Sequence, residues 1–185
     1  MLKKPKAALK SSLALLLGLG FLLNSTSVCA ETPANSTVIA AIVLNLARFT
    51  EWPETAFTKA EGNMRLCVLG DNITQSAFGQ IDNKQIGTRS LAIINMPRLK
   101  NPEECQLLYT SDLDRATVIQ LLAELRSRPI FTISSDESHF LEDGGMVLLK
   151  LIDGKMNIEI NLNAVTKSGL KISSRVLQLA KIVNH

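Results

Sequence analysis

The chain has 185 residues, with 20 Lys or Arg against 17 Asp or Glu. Four of the lysines and none of the acidic residues lie in residues 1–30, so residues 31–185 carry 16 basic and 17 acidic groups. This near-neutral balance, with no basic run after Lys10, argues against nucleic-acid binding. Residues 31–185 have the length of one ordinary domain, and we predict a single domain there.

Residues 1–30 have the order of a secretory signal peptide. Lysines precede the apolar stretch Leu13–Leu23, and the modest side chains of Val28-Cys29-Ala30 follow a polar segment. The apolar stretch is too short to span a bilayer comfortably. The alternatives are an uncleaved membrane anchor and a lipid attached at Cys29, although Val28 is bulky for a lipid-attachment site. We expect export, with removal of residues 1–30.

The cysteine count becomes even once the signal peptide is removed. Cys29 leaves with the signal, and Cys67 and Cys105 remain in an oxidising compartment. We predict a disulfide between them, and two buried free thiols are the alternative.

The predicted elements of the first part of the domain alternate between helix and strand. A helix begins at Ser36, its expected N-cap, and ends near Glu51-Trp52-Pro53, because the residue before proline avoids helical geometry. The predicted strands are Met64–Leu69, Ser90–Met96, Cys105–Tyr109 and Pro129–Ile133, and the predicted helices between them are Ile73–Phe78 and Leu113–Arg126.

The C-terminal part has a different pattern. Gly145–Ile152 and Lys155–Leu162 flank Asp153-Gly154, a strong hairpin signal. Apolar residues from Ile172 to Val183 then predict a closing helix that starts near Ser173 or Ser174. We therefore predict an α/β fold with a mostly parallel sheet and helices on both faces, plus a C-terminal antiparallel hairpin and the closing helix.

Three acidic residues follow predicted parallel strands: Asp71, Asp112 and Asp136. The carboxyl ends of such strands meet at one edge of the sheet, where ligands bind, so a Mg²⁺ site or a small-ligand site is one interpretation. The alternative is that each carboxylate caps the helical segment that follows it, and we favour capping.

Catalytic motifs are absent from the sequence. It has two histidines, His139 and His185, and no G-x-S-x-G, H-E-x-x-H, C-x-x-C or Walker-type loop. We predict that the protein is not an enzyme and needs no cofactor. An exported enzyme that uses His139 is the competing hypothesis.

Three side chains are candidates for contact with a partner. Trp52, the only tryptophan, lies between Glu51 and Pro53, where packing against the sheet competes with a partner contact. Arg48 and Arg175 lie on predicted helices, either as solvated charges or as a pair that binds an anion or a partner.

Four segments resemble the YfiR-type periplasmic regulators, and they occur in the family's order over most of residues 36–183. These segments are Ala41–Pro53, Arg65–Asp71, Ile158–Leu162 and Gly169–Leu177. The resemblance implies a regulator that binds the periplasmic domain of an inner-membrane diguanylate cyclase and inhibits it, which lowers cyclic di-GMP and biofilm formation.

The resemblance also implies a homodimer and an outer-membrane lipoprotein as a second partner. Cys67 and Cys105 match one cysteine pair of the family, whereas a second pair, found in some members near Gly144–Leu151, is missing here. Within the matching segments, the residues that we expect to contribute to partner binding are Arg48, Trp52, Glu159 and Arg175. A periplasmic ligand-binding domain without a cyclase partner is the alternative.

Overall fold

The computed structural model describes residues 33–57, 62–96, 101–135 and 138–184. The predicted signal peptide and Asp136 lie outside these residues. No helix in the described ranges is long and apolar enough to cross a membrane.

In the first half of the domain, the described residues form two helices and four strands. These elements are α1 (Pro33–Arg48), β1 (Thr50–Glu51), β2 (Asn63–Leu69), α2 (Asn72–Gly79), β3 (Gln85–Ile86) and β4 (Arg89–Asn95), with a 3-10 turn at Glu54–Ala56. The predicted strands Met64–Leu69 and Ser90–Met96 and the predicted helix Ile73–Phe78 agree with β2, β4 and α2 to within one residue at each end.

In the second half, the part of the chain that the structure describes adds three helices and six strands. They are β5 (Leu107–Thr110), α3 (Arg115–Leu125), β6 (Phe131–Ser134), β7 (Val147–Ile152), β8 (Lys155–Asn161), α4 (Leu162–Lys167), β9 (Lys171–Ile172), α5 (Ser174–Leu177) and β10 (Lys181–Val183), and a 3-10 turn at Pro102–Glu104 precedes β5.

Within the four described ranges, eight strands form the central sheet, in the order β10-β8-β7-β6-β5-β2-β4-β3. β4, β2, β5, β6 and β7 are parallel, whereas β7–β8 and β3–β4 pair antiparallel. The turn at Asp153-Gly154, where both residues have positive φ, closes the predicted hairpin. The predicted fold class is confirmed: α/β with a mainly parallel sheet, a C-terminal antiparallel hairpin and a further helix.

Apolar clusters cover both faces of the sheet. On one face, α1 and α2 pack with α4 and α5 against alternate residues of the strands, such as Leu66, Leu107 and Ile133. On the other face, α3 packs against the intervening residues, such as Leu108 and Leu148. We call these the α1 face and the α3 face.

The predicted start of the first helix is wrong. Ser36 is not an N-cap: it lies inside α1, which already includes Pro33, and it is 1% exposed. Pro33 is compatible with the first turn because the amides there need no helical partner.

The closing helix is shorter than predicted. It is limited to α5, because Lys181–Val183 instead pairs in parallel with Glu159–Asn161 of β8. Pairing with an available sheet edge prevails here over a local period of 3.6 residues.

Candidate functional site

A disulfide joins Cys67 in β2 to Cys105, which lies just before β5. Their Cα atoms are 5.9 Å apart, and the two residues are 2% and 3% exposed. Because β2 and β5 are neighbours in the sheet, the bond connects two central strands at the end where β5 begins. It therefore fixes the position of the chain that leads into β5.

Trp52 lies at the same end of the sheet, on the α1 face. Its indole Nε1 donates a hydrogen bond of 3.2 Å to the carbonyl oxygen of Gln106, and its ring meets the ring of Phe131 edge-on, with 6.2 Å between centroids. The side chain is half-buried. These contacts agree with the packing interpretation, and the partner contact of Trp52 stays a prediction.

Gln106 holds this region together, and sequence reasoning missed it. Its Oε1 accepts from the amide of Arg65 at 2.8 Å, and its Nε2 donates to the carbonyl of Ala56 at 3.0 Å. Its backbone carbonyl accepts from both Trp52 Nε1 and the amide of Phe131. Gln106 is 4% exposed, so these bonds satisfy a side chain that would otherwise be costly to bury. The available signal was a single polar residue inside the apolar run Cys105–Tyr109.

Arg48 and Arg175 lie close in the fold to the segment that contains Trp52. Arg48 ends α1, and its Nε donates to the carbonyl of Gln85 in β3 at 3.1 Å. Arg175 is exposed on α5. The connection between these helices is the ribbon of β1 and β9, where Thr50 pairs with Ile172. Both arginines therefore flank one short ribbon on the α1 face.

Glu159 lies elsewhere, on the α3 face of β8. It stands opposite Leu148, which packs in the α3 cluster. Its carboxylate oxygens lie 3.3 Å from Lys150 Nζ and 3.2 Å from Lys181 Nζ. Burial raises the pKa of Glu159, but the hydrogen bonds from Lys181 and Lys150 outweigh burial, so the pKa lies below its ordinary value. The four candidate partner residues are thus divided between two faces.

Of the three acidic residues predicted at the carboxyl edge of the sheet, Asp71 is a helix cap. Asp71 accepts a hydrogen bond from the Thr74 amide at 2.7 Å, which caps α2 and is the main reason why the pKa of Asp71 is lowered. Asp112 does not cap α3, contrary to the capping interpretation. Asp114 does so through the Thr117 amide at 3.0 Å, while Asp112 occupies the left-handed region with φ 57°.

The loops that contain Asp71 and Asp112 meet where the strand order reverses, between β2 and β5. The Ser111 amide donates to the carbonyl of Leu69 at 2.9 Å. A Cβ added to Gly70 would lie 2.6 Å from Ser111 Oγ and 2.9 Å from Thr74 Cγ2, so any other residue here would force a neighbouring side chain to shift. Within the described ranges, the buried hydroxyls of Thr110 and Ser111 have no hydrogen-bond partner.

His139 lies on the surface, where its Nδ1 is 2.8 Å from Glu142 Oε2. The described part of the chain contains no group of three or more His, Cys, Asp or Glu placed to hold a metal ion.

Comparison with known families gives a match that covers most of the domain. The family described as YfiR/HmsC-like matches residues 36–181. This range begins within α1, contains both cysteines of the disulfide and ends at the start of β10. The chain therefore belongs to the YfiR/HmsC-like family.

Proposed function

We propose that the protein is a periplasmic regulator that binds the periplasmic domain of an inner-membrane diguanylate cyclase and inhibits the enzyme. The single observation that carries this proposal is the family match over residues 36–181, since the family is periplasmic and regulatory, not catalytic. The signal-like sequence of residues 1–30 and the Cys67–Cys105 disulfide fit an oxidising compartment.

Inhibition by binding needs no reactive residue. A protein that binds the inactive state of the cyclase more tightly than the active state shifts the equilibrium by the difference in binding free energy. To favour the inactive state 99 to 1 from the reverse ratio, this difference must be about 5.5 kcal/mol. A few well-packed contacts around a central aromatic residue are enough for such a difference.

The contact surface that we propose is centred on Trp52 and the ribbon of β1 and β9. It combines a half-buried aromatic ring, held by Phe131 and Gln106, with the exposed side chains of Arg48 and Arg175. Aromatic and arginine side chains are enriched among residues that dominate binding energy. Glu159 lies on the opposite face, where its ion pairs with Lys150 of β7 and Lys181 of β10 indicate a role in joining β8 to its two neighbouring strands.

Calorimetric titration of the mature protein with the periplasmic domain of the cyclase tests this proposal. We expect Arg48→Glu and Arg175→Glu to weaken binding at least tenfold, because each places an acidic charge on the proposed surface. Arg128→Glu is the matched control, since Arg128 is also an exposed arginine but follows α3. Absence of binding by the unsubstituted protein would contradict the function, and equal loss in all three variants would contradict the surface.

The proposal includes two further partners. The protein forms a homodimer, and an outer-membrane lipoprotein sequesters it and releases the cyclase. The family resemblance supports both statements. Sedimentation of the mature protein alone tests the first, and co-purification with the lipoprotein tests the second.

A second candidate function is a small-ligand-binding domain that acts without a cyclase. The observation that favours it is the meeting of Gly70–Asp71 and Ser111–Asp112 at the reversal of strand order, where open α/β sheets bind ligands. Thermal unfolding in the presence of amino acids, sugars and nucleotides separates the two functions. A rise in the melting temperature with one of these compounds would support the ligand-binding domain, and no rise with any of them would count against it.

A further inference from the structure

A cavity of about 260 Å³ lies at the end of the central sheet where β6 and β7 begin. The last turn of α3 forms one wall, the turn at residues 142–144 forms another, and α4, which packs on the α1 face, forms a third. The volume is close to the lower limit for small-molecule pockets, which is about 300 Å³. The loops of Gly70 and Ser111 lie at the opposite end of the parallel strands, so this cavity is a different site from the one between β2 and β5.

Part of the cavity wall is apolar. Its apolar side chains are Leu122 and Leu125 of α3, Met146 just before β7 and Ala164 of α4. Leu122, Leu125 and Met146 are 5–6% exposed, so a group that contacts them is removed from water. Removal from water is favourable for an apolar group and costly for a polar group that finds no partner. The wall therefore suits a ligand that has an apolar body.

Two buried polar side chains, Thr132 and Asn161, also line the cavity and are 3% and 2% exposed. Thr132 Oγ1 accepts a hydrogen bond from the amide of Met146 at 3.1 Å, and Asn161 Nδ2 donates to the carbonyl of Leu141 at 3.0 Å. Asn161 Oδ1 accepts from the amide of Ala164, which fixes the side-chain amide in place. Among the described residues, the hydroxyl hydrogen of Thr132 and the second Nδ2 hydrogen of Asn161 have no acceptor. Both side chains therefore offer a buried donor to a ligand.

The carboxylates of Glu142 and Asp143 line the cavity too, but they already have partners. Arg115 holds Asp143 with two hydrogen bonds, from Nε at 3.0 Å and from Nη2 at 2.9 Å. These bonds lower the pKa of Asp143, so its carboxylate stays ionised and the guanidinium balances its charge. Glu142 lies 2.8 Å from His139 Nδ1. Because neither Arg115 nor His139 lines the cavity, both carboxylates are engaged away from it.

Two cations of the cavity wall have no such partner. Arg126 is the C-cap residue of α3, and Lys167 is the last residue of α4. Both are exposed, and in the part of the chain that the structure describes neither side chain forms a hydrogen bond or an ion pair. Cations are thus in excess at the opening of the cavity. An anionic group that enters would gain two oppositely charged partners.

We propose that this cavity binds a small carboxylate with an apolar body, of about the size of phenylacetate. Four side chains of the described wall have donors to spare: Thr132, Asn161, Arg126 and Lys167. A carboxylate has two oxygens with about four acceptor sites, which matches these four groups, and arginine is well shaped to hold it. The apolar body then contacts the apolar wall. None of the four candidate partner residues lines the cavity, so the site is additional to the proposed regulatory function.

Titration calorimetry of the mature protein with phenylacetate tests the chemistry of the site. We expect a millimolar or tighter dissociation constant, and at least tenfold weaker binding of neutral phenylacetamide and of inorganic phosphate. The double variant Arg126→Gln with Lys167→Gln should weaken phenylacetate binding at least tenfold, because both cations are lost. The matched control is Arg128→Gln with Lys171→Gln, which removes an exposed arginine and an exposed lysine that do not line the cavity. This control should bind as the unsubstituted protein does.

The methyl signals of the methionines in a carbon–proton NMR spectrum locate the ligand without any substitution. Phenylacetate should shift the signal of Met146, because the aromatic ring lies against this side chain, and leave that of Met96 unchanged, since Met96 is buried at the carboxyl end of β4. No binding of phenylacetate, or equal binding of phenylacetamide or phosphate, would overturn the ligand class. Unweakened binding by the double variant, or a shift of Met96 in place of Met146, would overturn the site. None of these results bears on inhibition of the cyclase.

Discussion

Removal of the Cys67–Cys105 disulfide is the perturbation whose effect on stability follows most directly from the structure. The bond connects residues 38 positions apart in sequence and joins two adjacent central strands. Its loss changes few contacts in the folded protein, because both residues are buried and the neighbouring strands remain paired through their backbones. The main effect is expected on the unfolded chain, which gains freedom.

The size of this effect follows from the entropy of closing the loop. For a loop of 38 residues, the chain-entropy relation gives a stabilisation of about 4 kcal/mol at 25 °C. This is a large fraction of the stability of an ordinary domain, which is about 5–15 kcal/mol. With a urea dependence of about 2 kcal/mol per molar, the unfolding midpoint should fall by about 2 M.

Urea unfolding of the oxidised and the reduced protein measures this effect, because reduction breaks the bond while it keeps both sulfur atoms in the core. The variant with Cys67→Ala and Cys105→Ala should have a low midpoint with or without reductant, which controls for effects of the reductant itself. If oxidised and reduced protein unfold within about 0.5 M of each other, a difference of about 1 kcal/mol, the reasoning from loop closure is refuted.

Three other predictions concern individual side chains. Gln106→Leu should cost about 1–3 kcal/mol, because two partly buried backbone groups, the amide of Arg65 and the carbonyl of Ala56, lose their side-chain partner. It should also shift the emission of Trp52, the only tryptophan, to longer wavelength, and unchanged emission would contradict the role of Gln106. Glu159→Gln should cost about 1 kcal/mol at pH 7. Folding lowers the pKa of Glu159, so its ion pairs stabilise the protein at a pH above the ordinary value of 4.5, and this stabilisation is lost as the pH falls below that value. The difference in unfolding free energy between the protein and the variant, measured by urea unfolding, should therefore close toward pH 3. A difference that widened toward pH 3 would contradict the pairing. Gly70→Ala should lower the free energy of unfolding by about 1–3 kcal/mol, measured by thermal or urea unfolding, because the new Cβ would lie 2.6 Å from Ser111 Oγ. Adding Ser111→Ala to the same chain should recover part of that stability. A fully tolerated alanine at Gly70 would contradict the close approach of the two loops.

The succession of central strands and helices along the chain could be predicted from the sequence, because local patterns determine where each element lies. Buried parallel strands such as β2 and β5 are continuous apolar runs, and Asp153-Gly154 has the chemistry of a tight hairpin turn. Asp71 could be identified as the cap of α2 for the same reason, since it lies only three residues before Thr74, whose amide it accepts from.

The features that were missed depend on residues distant in the chain. The helical period of residues 172–183 gave no indication that β8 offers an edge to Lys181–Val183. Gln106 is an ordinary polar residue in sequence, and its importance arises from Trp52 and Ala56, which are 54 and 50 positions away. Glu159 matched a family segment, but only the pairing of β8 with β7 and β10 places it between two lysines and away from Trp52.

The most direct test of the central claim is the level of cyclic di-GMP in cells that lack this protein. We expect the deletion to raise cyclic di-GMP and biofilm formation, and the full chain to restore the low level. The same chain without residues 1–30 should fail to restore it, because it cannot reach the periplasmic domain of the cyclase. An unchanged level of cyclic di-GMP after deletion, or full restoration by the chain without residues 1–30, would contradict the claim.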